Sequence, residues 1–137
     1  MLIELLIGIV VVSIITTAAL PAYLSLQNQN AQYLVRDEVV KALYRSQSLA
    51  VSGNNDATWG VSIQANQVLI FQGGSYATRI LSSDIAIPFN RTIVVSGTSE
   101  FVFQKLTGFP VNTGSVYLQL NTNTLNIAIN EKGTITY

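Results

Sequence analysis

The hydrophobic pattern of this chain changes twice, and the first segment is the most apolar. Residues 1–24 read MLIELLIGIVVVSIITTAALPAYL, and no charged side chain occurs from Leu5 to Leu20. A helix that is apolar on every face needs lipid or other protein around it, and about 20 such residues suffice to cross a membrane. The pattern therefore predicts an apolar helical segment, for a membrane or for the core of a filament.

Residues 25–53 have an amphipathic helical pattern, with apolar residues at three- and four-residue steps. Gly53 and the asparagines after it predict a helix end, so one helix runs from near Met1 to about Ser52. We expect this second segment to pack on the head of the molecule, which is formed by residues 54–137. Its predicted buried face consists of Ala31, Leu34, Val35, Val39, Ala42, Leu43, Ser46, Leu49 and Ala50. Its predicted polar face carries Gln32, Arg36, Asp37, Lys41, Arg45 and Gln47.

Residues 54–137 form the third segment, in which apolar residues alternate with period two. Trp59, Val61 and Ile63 predict a strand with one buried face, and Trp59 is expected in the core. About seven strands packed on the helix give an α+β fold with an antiparallel β head. The other predicted strands are 67–72, a short edge piece at 85–87, 92–95, 101–105, 115–120, 125–130 and 134–137, with 75–81 as a strand or an extended loop.

Glu4 is an acidic residue inside the apolar segment. A charged side chain at membrane depth costs at least about 2.5 kcal/mol, so it is a functional candidate that needs a partner. A secretory signal peptide would have basic residues at its start, whereas no Lys or Arg precedes Arg36. A simple single-span anchor stays open, but it accounts neither for Glu4 nor for the missing basic residues.

The stretch from Ser13 to Pro21 is the weakest part of the predicted helix. Pro21 lacks an amide hydrogen and disturbs the hydrogen bond to the carbonyl four residues earlier, near Thr17. Thr16 and Thr17 are β-branched and form helices less readily than leucine. We expect this stretch to melt when the protein is assembled; the alternative is a smooth kink.

The N-terminal segment resembles that of mature type IV pilins and type II secretion pseudopilins, the type IV filament family. The resemblance rests on Leu2–Leu6 and on Pro21, which follows Glu4 by 17 residues. The family normally has an aromatic residue and a threonine before the Leu-Ile-Glu run, where this sequence has only Met1.

The resemblance implies a pilin, the structural subunit of a cell-surface filament that is a homopolymer of one chain. In such a filament Glu4 pairs with the N-terminal amine of a neighbouring subunit. The resemblance also implies an inner-membrane pool before assembly, processing by a prepilin peptidase of the pilus assembly machinery, and a methylated amine at Met1.

Parts of the head resemble a narrower branch of the same family. Residues 45–79 and 101–114 are similar to H-type minor pseudopilins and FimT-like proteins. This leaves an alternative function. The chain would then be a minor pseudopilin that starts the assembly of a secretion or DNA-uptake pseudopilus or forms its tip. Tip subunits of the family often lack the glutamate, so Glu4 favours the major subunit.

The composition of the chain narrows the classes of function that remain. The 137 residues include seven basic and seven acidic side chains, and this balance argues against a nucleic-acid partner. There is no Cys and no His, so we expect no zinc site, haem or other cofactor, no Ser-His triad and no enzyme activity. Asn90 begins an Asn-x-Thr sequence, a weak candidate for glycosylation because such short patterns also arise by chance.

Overall fold

A computed structural model describes residues 1–90, 92–120 and 123–137, without the side chains of residues 18–20, 22 and 28. One long helix precedes a β-rich head, so the fold class is α+β, as the sequence predicts. The helix α1 spans Leu2–Val51. The strands are β1 Trp59–Ile63, β2 Gln67–Gln72, β3 Ile85–Pro88, β4 Val94–Gly97, β5 Glu100–Phe103, β6 Gly114–Leu120, β7 Asn123–Ile129 and β8 Ile135–Thr136.

The strands form two antiparallel sheets of four strands each within the described residues. The first sheet has the order β3-β2-β1-β5, and the second has the order β4-β6-β7-β8. The structure has eight strands where about seven were predicted. The predicted edge piece at 85–87 is one of them, β3, and it pairs along β2 with Val68 opposite Ile87. Pro88 ends this edge strand, where a residue without an N–H is tolerated. The 75–81 segment is a loop, followed by a single 3₁₀ turn at Leu81–Ser83.

The helix α1 ends where the sequence predicts. Ser52 is its C-terminal cap, and Gly53 follows in the left-handed conformation with φ of 65°. The Gly53 N–H donates to the Ala50 carbonyl oxygen at 3.1 Å, which satisfies one of the free carbonyls at the helix end. At about 1.5 Å per residue, the helix is roughly 75 Å long.

The core lies between the second half of α1 and the inner faces of the two sheets. Trp59 is buried as predicted, and its indole N–H donates to the Asn54 carbonyl oxygen at 3.1 Å. Phe101 and Phe103 are fully buried nearby in the same sheet. The helix contributes Val35, Val39, Val40, Ala42, Leu43 and Ala50 to this core.

The prediction of one buried face for β1 is wrong, because both faces are covered. Gly60 and Ser62 on the outer face are also buried. Gly60 lies opposite Phe71 in the register, and the Phe71 ring covers it, leaving no room for a β-carbon. The loop after β2 closes this face, since Tyr76 meets Phe71 edge to face at 6.0 Å between ring centroids.

Two residues of α1 are on the face opposite to the one predicted. Leu34 is 57% exposed instead of buried, and Gln32 is only 4% exposed instead of lying on the polar face. Gln32 is buried because its amide donates to two carbonyl oxygens of the β6–β7 hairpin, those of Leu118 and Asn123. Hydrophobic spacing alone assigned both residues to a face of the helix. It cannot show that the Gln32 side chain reaches carbonyl oxygens in strands that lie far away in the sequence.

Candidate assembly surface

The first 30 residues form an uncovered arm. Every side chain that the structure describes between Met1 and Asn30 is exposed, and Ala31 is the first buried residue. The exposure is large even for aliphatic side chains, for example 73% for Ile3 and 62% for Ile15. Soluble monomers rarely expose contiguous apolar patches beyond a few hundred Å², and larger ones mark interaction sites. The arm is therefore the strongest candidate for an interaction surface.

Glu4 lies in the first turn of α1, which begins at the Met1 cap. A helix N-terminus favours a carboxylate there, because the free N–H groups carry partial positive charge. Among the described residues, the Glu4 carboxylate makes no hydrogen bond and no ion pair, and this includes the Met1 amine of its own chain. The side chain thus faces solvent, available for a group on another molecule.

The hydroxyl groups of Ser13, Thr16 and Thr17 all bond to carbonyl oxygens of the preceding turn. Ser13 Oγ donates to the Ile9 carbonyl at 2.8 Å, and Thr17 Oγ1 donates to the Ser13 carbonyl at 2.6 Å. Thr16 Oγ1 lies within 2.9 Å of the Val12 carbonyl oxygen and 3.0 Å of that of Ser13. Such bonds compete with the backbone ladder and often bend helices.

The helix continues through Pro21 in the single chain. Because Pro21 has no N–H, the Thr17 carbonyl lacks its usual partner in the ladder. Melting between Ser13 and Pro21 was predicted for the assembled protein, and it stays a prediction for that state. Within the described residues, no helix is long and apolar enough to cross a membrane.

The remaining candidate residues lie on the head. Asn90 is exposed beside a groove lined by Leu34, Glu38 and Pro88, whereas residue 91 of its Asn-x-Thr sequence lies outside the described residues. In the part of the chain that the structure describes, no three His, Cys, Asp or Glu side chains come together as metal ligands.

A polar cluster that hydrophobic spacing does not reveal holds the loop after β2 in place. Arg79 Nε donates to Asp84 Oδ2 at 2.8 Å, and this bond raises the pKa of the Arg79 guanidinium above its ordinary value. The guanidinium also lies 3.9 Å from the centroid of the Tyr76 ring, and the Tyr76 N–H donates to Glu100 Oε1 at 2.9 Å. The cluster fastens the loop that covers Phe71, so its role is structural.

Comparison of the chain with family models, with curated proteins and with solved structures gave no match.

Proposed function

We propose that this chain is a pilin, the repeating structural subunit of a type IV pilus-like filament, and that it has no enzyme activity. One observation carries the proposal: the arm of residues 1–30, about 45 Å long at 1.5 Å per residue and apolar over residues 1–24, has no buried side chain among those that the structure describes. Bundling the arms of many copies covers them, with the β heads on the outside. Leaving lipid for such a bundle costs little, because lipid tails and leucine side chains are equally apolar.

Charge pairing then sets the position of each subunit along the bundle. Glu4 has no partner among the described residues of its own chain. In the proposed filament its carboxylate pairs with the N-terminal amine of a neighbouring copy. Removing one partner of a buried ion pair typically costs about 3–5 kcal/mol, so a subunit that misses this pairing is strongly disfavoured.

The resemblance supplies the rest of the proposed pathway. The apolar segment of residues 1–24 first holds the protein in the inner membrane, and a prepilin peptidase processes it before the pilus machinery extracts it. Residues 25–53 carry the head of residues 54–137 to the filament surface. The stretch from Ser13 to Pro21 loosens during assembly, where neighbouring copies can satisfy its backbone groups.

A minor pseudopilin is the second candidate, and the similarity of residues 45–79 to that branch is what favours it. Such a subunit would be present in a few copies beside a different major subunit. Glu4 favours the major subunit, because it is the residue that neighbouring copies of the chain can use for pairing.

Electron microscopy of purified surface fibres, with mass spectrometry of their dominant subunit, tests the proposal. We expect fibres in which this chain is the main component. Fibres that contain it only in trace amounts would support the minor pseudopilin instead. If the chain with its first 20 residues intact stays monomeric in detergent-free buffer, the filament proposal is wrong.

A further inference from the structure

Leu106 has a backbone conformation that is unusual for its side chain. Its φ is 68°, in the left-handed region that glycine adopts freely and that strains a residue with a β-carbon. The Leu106 N–H donates to the Ala50 carbonyl oxygen at 2.8 Å and helps to cap α1, which a glycine N–H would do equally well. The leucine side chain is 65% exposed, so burial in its own chain does not offset the strain. Strained residues of this kind cluster at functional positions.

Leu106 belongs to an apolar surface at the end of the head that is farthest from the arm. Val51 is the last residue of α1, and its side chain lies against Gly108 of the loop after β5. Segment 104–111 of that loop has one charged residue, Lys105. Four exposed side chains form this surface, which we call the tip patch: Val51, Leu106, Phe109 and Val111. The tip patch is therefore apolar, with a single positive charge beside it.

A groove at the arm end of the head is also apolar. It lies between α1 and the edge strand β3, and Leu34 is on its α1 side. Leu34 has the spacing of a buried residue but is exposed, because the head does not cover it. Among the described lining residues Glu38 is the only charged one, and the apolar ones are Leu34, Val35, Ile87, Pro88 and Phe89. We call this site the α1–β3 groove.

We propose that the tip patch of one copy of this chain docks in the α1–β3 groove of a second copy. The inference rests on the proposed filament and adds a contact between heads to it. The charges are complementary, because Lys105 lies beside the tip patch and Glu38 lines the groove. In their own chain these two residues have only exposed ion pairs, with Asp56 and Lys41, and such pairs are worth little. Both surfaces follow Pro21 in the sequence, so melting of the stretch that ends there leaves them folded.

The size of the tip patch favours a second copy over a separate partner. Its four side chains, each about half exposed, offer on the order of 400 Å², whereas each partner of a stable complex buries about 800 Å². A free molecule would therefore bind this patch weakly. Copies whose arms are already bundled are held at a high effective concentration, so a small second contact can form between them.

The positions of the two surfaces fix the kind of assembly. Val51 follows Leu34 by 17 residues, which is about 25 Å along α1. A surface that differs from the surface it binds gives a head-to-tail contact, which continues as an open filament unless the rotation closes a ring. In parallel copies, docking therefore stacks heads in rows with a displacement of about 25 Å along the axis. Pairing of Glu4 with an amine requires a displacement of only about 5 Å, so the two contacts join different pairs of copies.

Leu106→Gly separates the proposed contact from the stability of the head. Glycine adopts the same φ without strain, so the melting temperature should not fall. The critical concentration for filament assembly should rise about tenfold, because the contact loses a buried leucine side chain. Circular dichroism in detergent and sedimentation of the assembled fraction measure the two quantities. An unchanged critical concentration, or a rise that comes with a less stable head, would overturn the proposal.

Crosslinking tests which surfaces meet, and the chain has no cysteine of its own to interfere. Filaments with Leu106→Cys and Leu34→Cys should give ladders of linked copies with a short bis-maleimide. In the control, Val94→Cys replaces Leu34→Cys: Val94 is similarly exposed and pairs with Gln119 near the arm end of the head, but it does not line the groove. No ladder from the first pair, or an equal ladder from the control, would overturn the proposal.

The two proposals can fail separately. If the unmodified chain forms no filament, the proposed function fails. If it forms filaments and Leu106→Gly assembles as well as the unmodified chain, only the contact between heads fails.

Discussion

The side-chain amide of Gln32 donates a hydrogen bond to the Asn123 carbonyl oxygen at 2.9 Å, although the two residues are 91 positions apart. The same amide lies 3.3 Å from the Leu118 carbonyl oxygen, in the neighbouring strand of the hairpin. Gln32 follows Ala31, the first buried residue among those whose side chains the structure describes. The bond therefore fastens the second sheet to α1 at the point where the helix leaves the head.

Gln32→Leu should destabilise the head by about 1–3 kcal/mol, because the buried Leu118 carbonyl oxygen and the partly buried Asn123 carbonyl oxygen both lose this donor. Thermal unfolding of the full chain in detergent, followed by the β-sheet signal in circular dichroism, measures this change. Gln29→Leu makes the same substitution at an exposed position of the same helix and should change the stability by less than about 0.5 kcal/mol. Equal melting temperatures of the two variants would contradict the proposed role of Gln32 in holding the second sheet to α1.

Trp59→Ala should lower the free energy of unfolding of the head by about 3–5 kcal/mol, because it leaves a cavity in the core. The indole is 4% exposed and its N–H is bonded to Asn54. Urea titration of the full chain in detergent gives the value. Phe109→Ala is the control, since Phe109 is 51% exposed and little packing is lost there. An unchanged unfolding midpoint for Trp59→Ala would show that the indole does not support the core.

Glu4→Gln should strongly reduce filament yield, because it removes the charge that pairs with a neighbouring amine while keeping the size of the side chain. The loss of one partner in a buried pair typically costs about 3–5 kcal/mol. Negative-stain microscopy and sedimentation of the assembled fraction measure the yield. Glu131→Gln removes an exposed acidic group from the head and should assemble as the unmodified chain does. Normal filaments from Glu4→Gln would rule out the pairing.

Arg79→Met should lower the melting temperature of the head, and Arg79→Lys should lower it less, because lysine keeps the charge but not the planar contact with Tyr76. Hydrogen bonding to Asp84 raises the pKa of Arg79 in the folded state. The resulting stability is fully present below the unfolded-state pKa of arginine and is lost only as the pH rises through the raised folded value. Differential scanning calorimetry should therefore find the same Arg79→Met difference from about pH 6 to about pH 10. A difference that fades within that range would contradict this assignment.

The sequence predicts the fold class, the end of α1 and the burial of Trp59 because each depends on local patterns. Apolar residues at every second position indicate strands, and a glycine that can adopt the left-handed conformation ends a helix. The assignment of Gln32 was wrong because hydrogen-bond partners supplied by β6 and β7 decide that this polar residue is buried. The assignment of Leu34 was wrong because the head does not cover that position of α1. The sequence indicates the edge piece at 85–87, but its pairing with β2 depends on a neighbour that no local pattern identifies.

The sequence by itself determined that the first segment is an apolar helix with one acidic residue, since hydrophobicity and charge are properties of the residues. It also indicated Pro21 and the hydroxyl residues as a weak stretch. Only the tertiary structure decided that the head begins to cover α1 at Ala31, since every described side chain before that residue is exposed. The physical reason is that exposure depends on which surfaces the folded head reaches, whereas apolar character is already present in the unfolded chain.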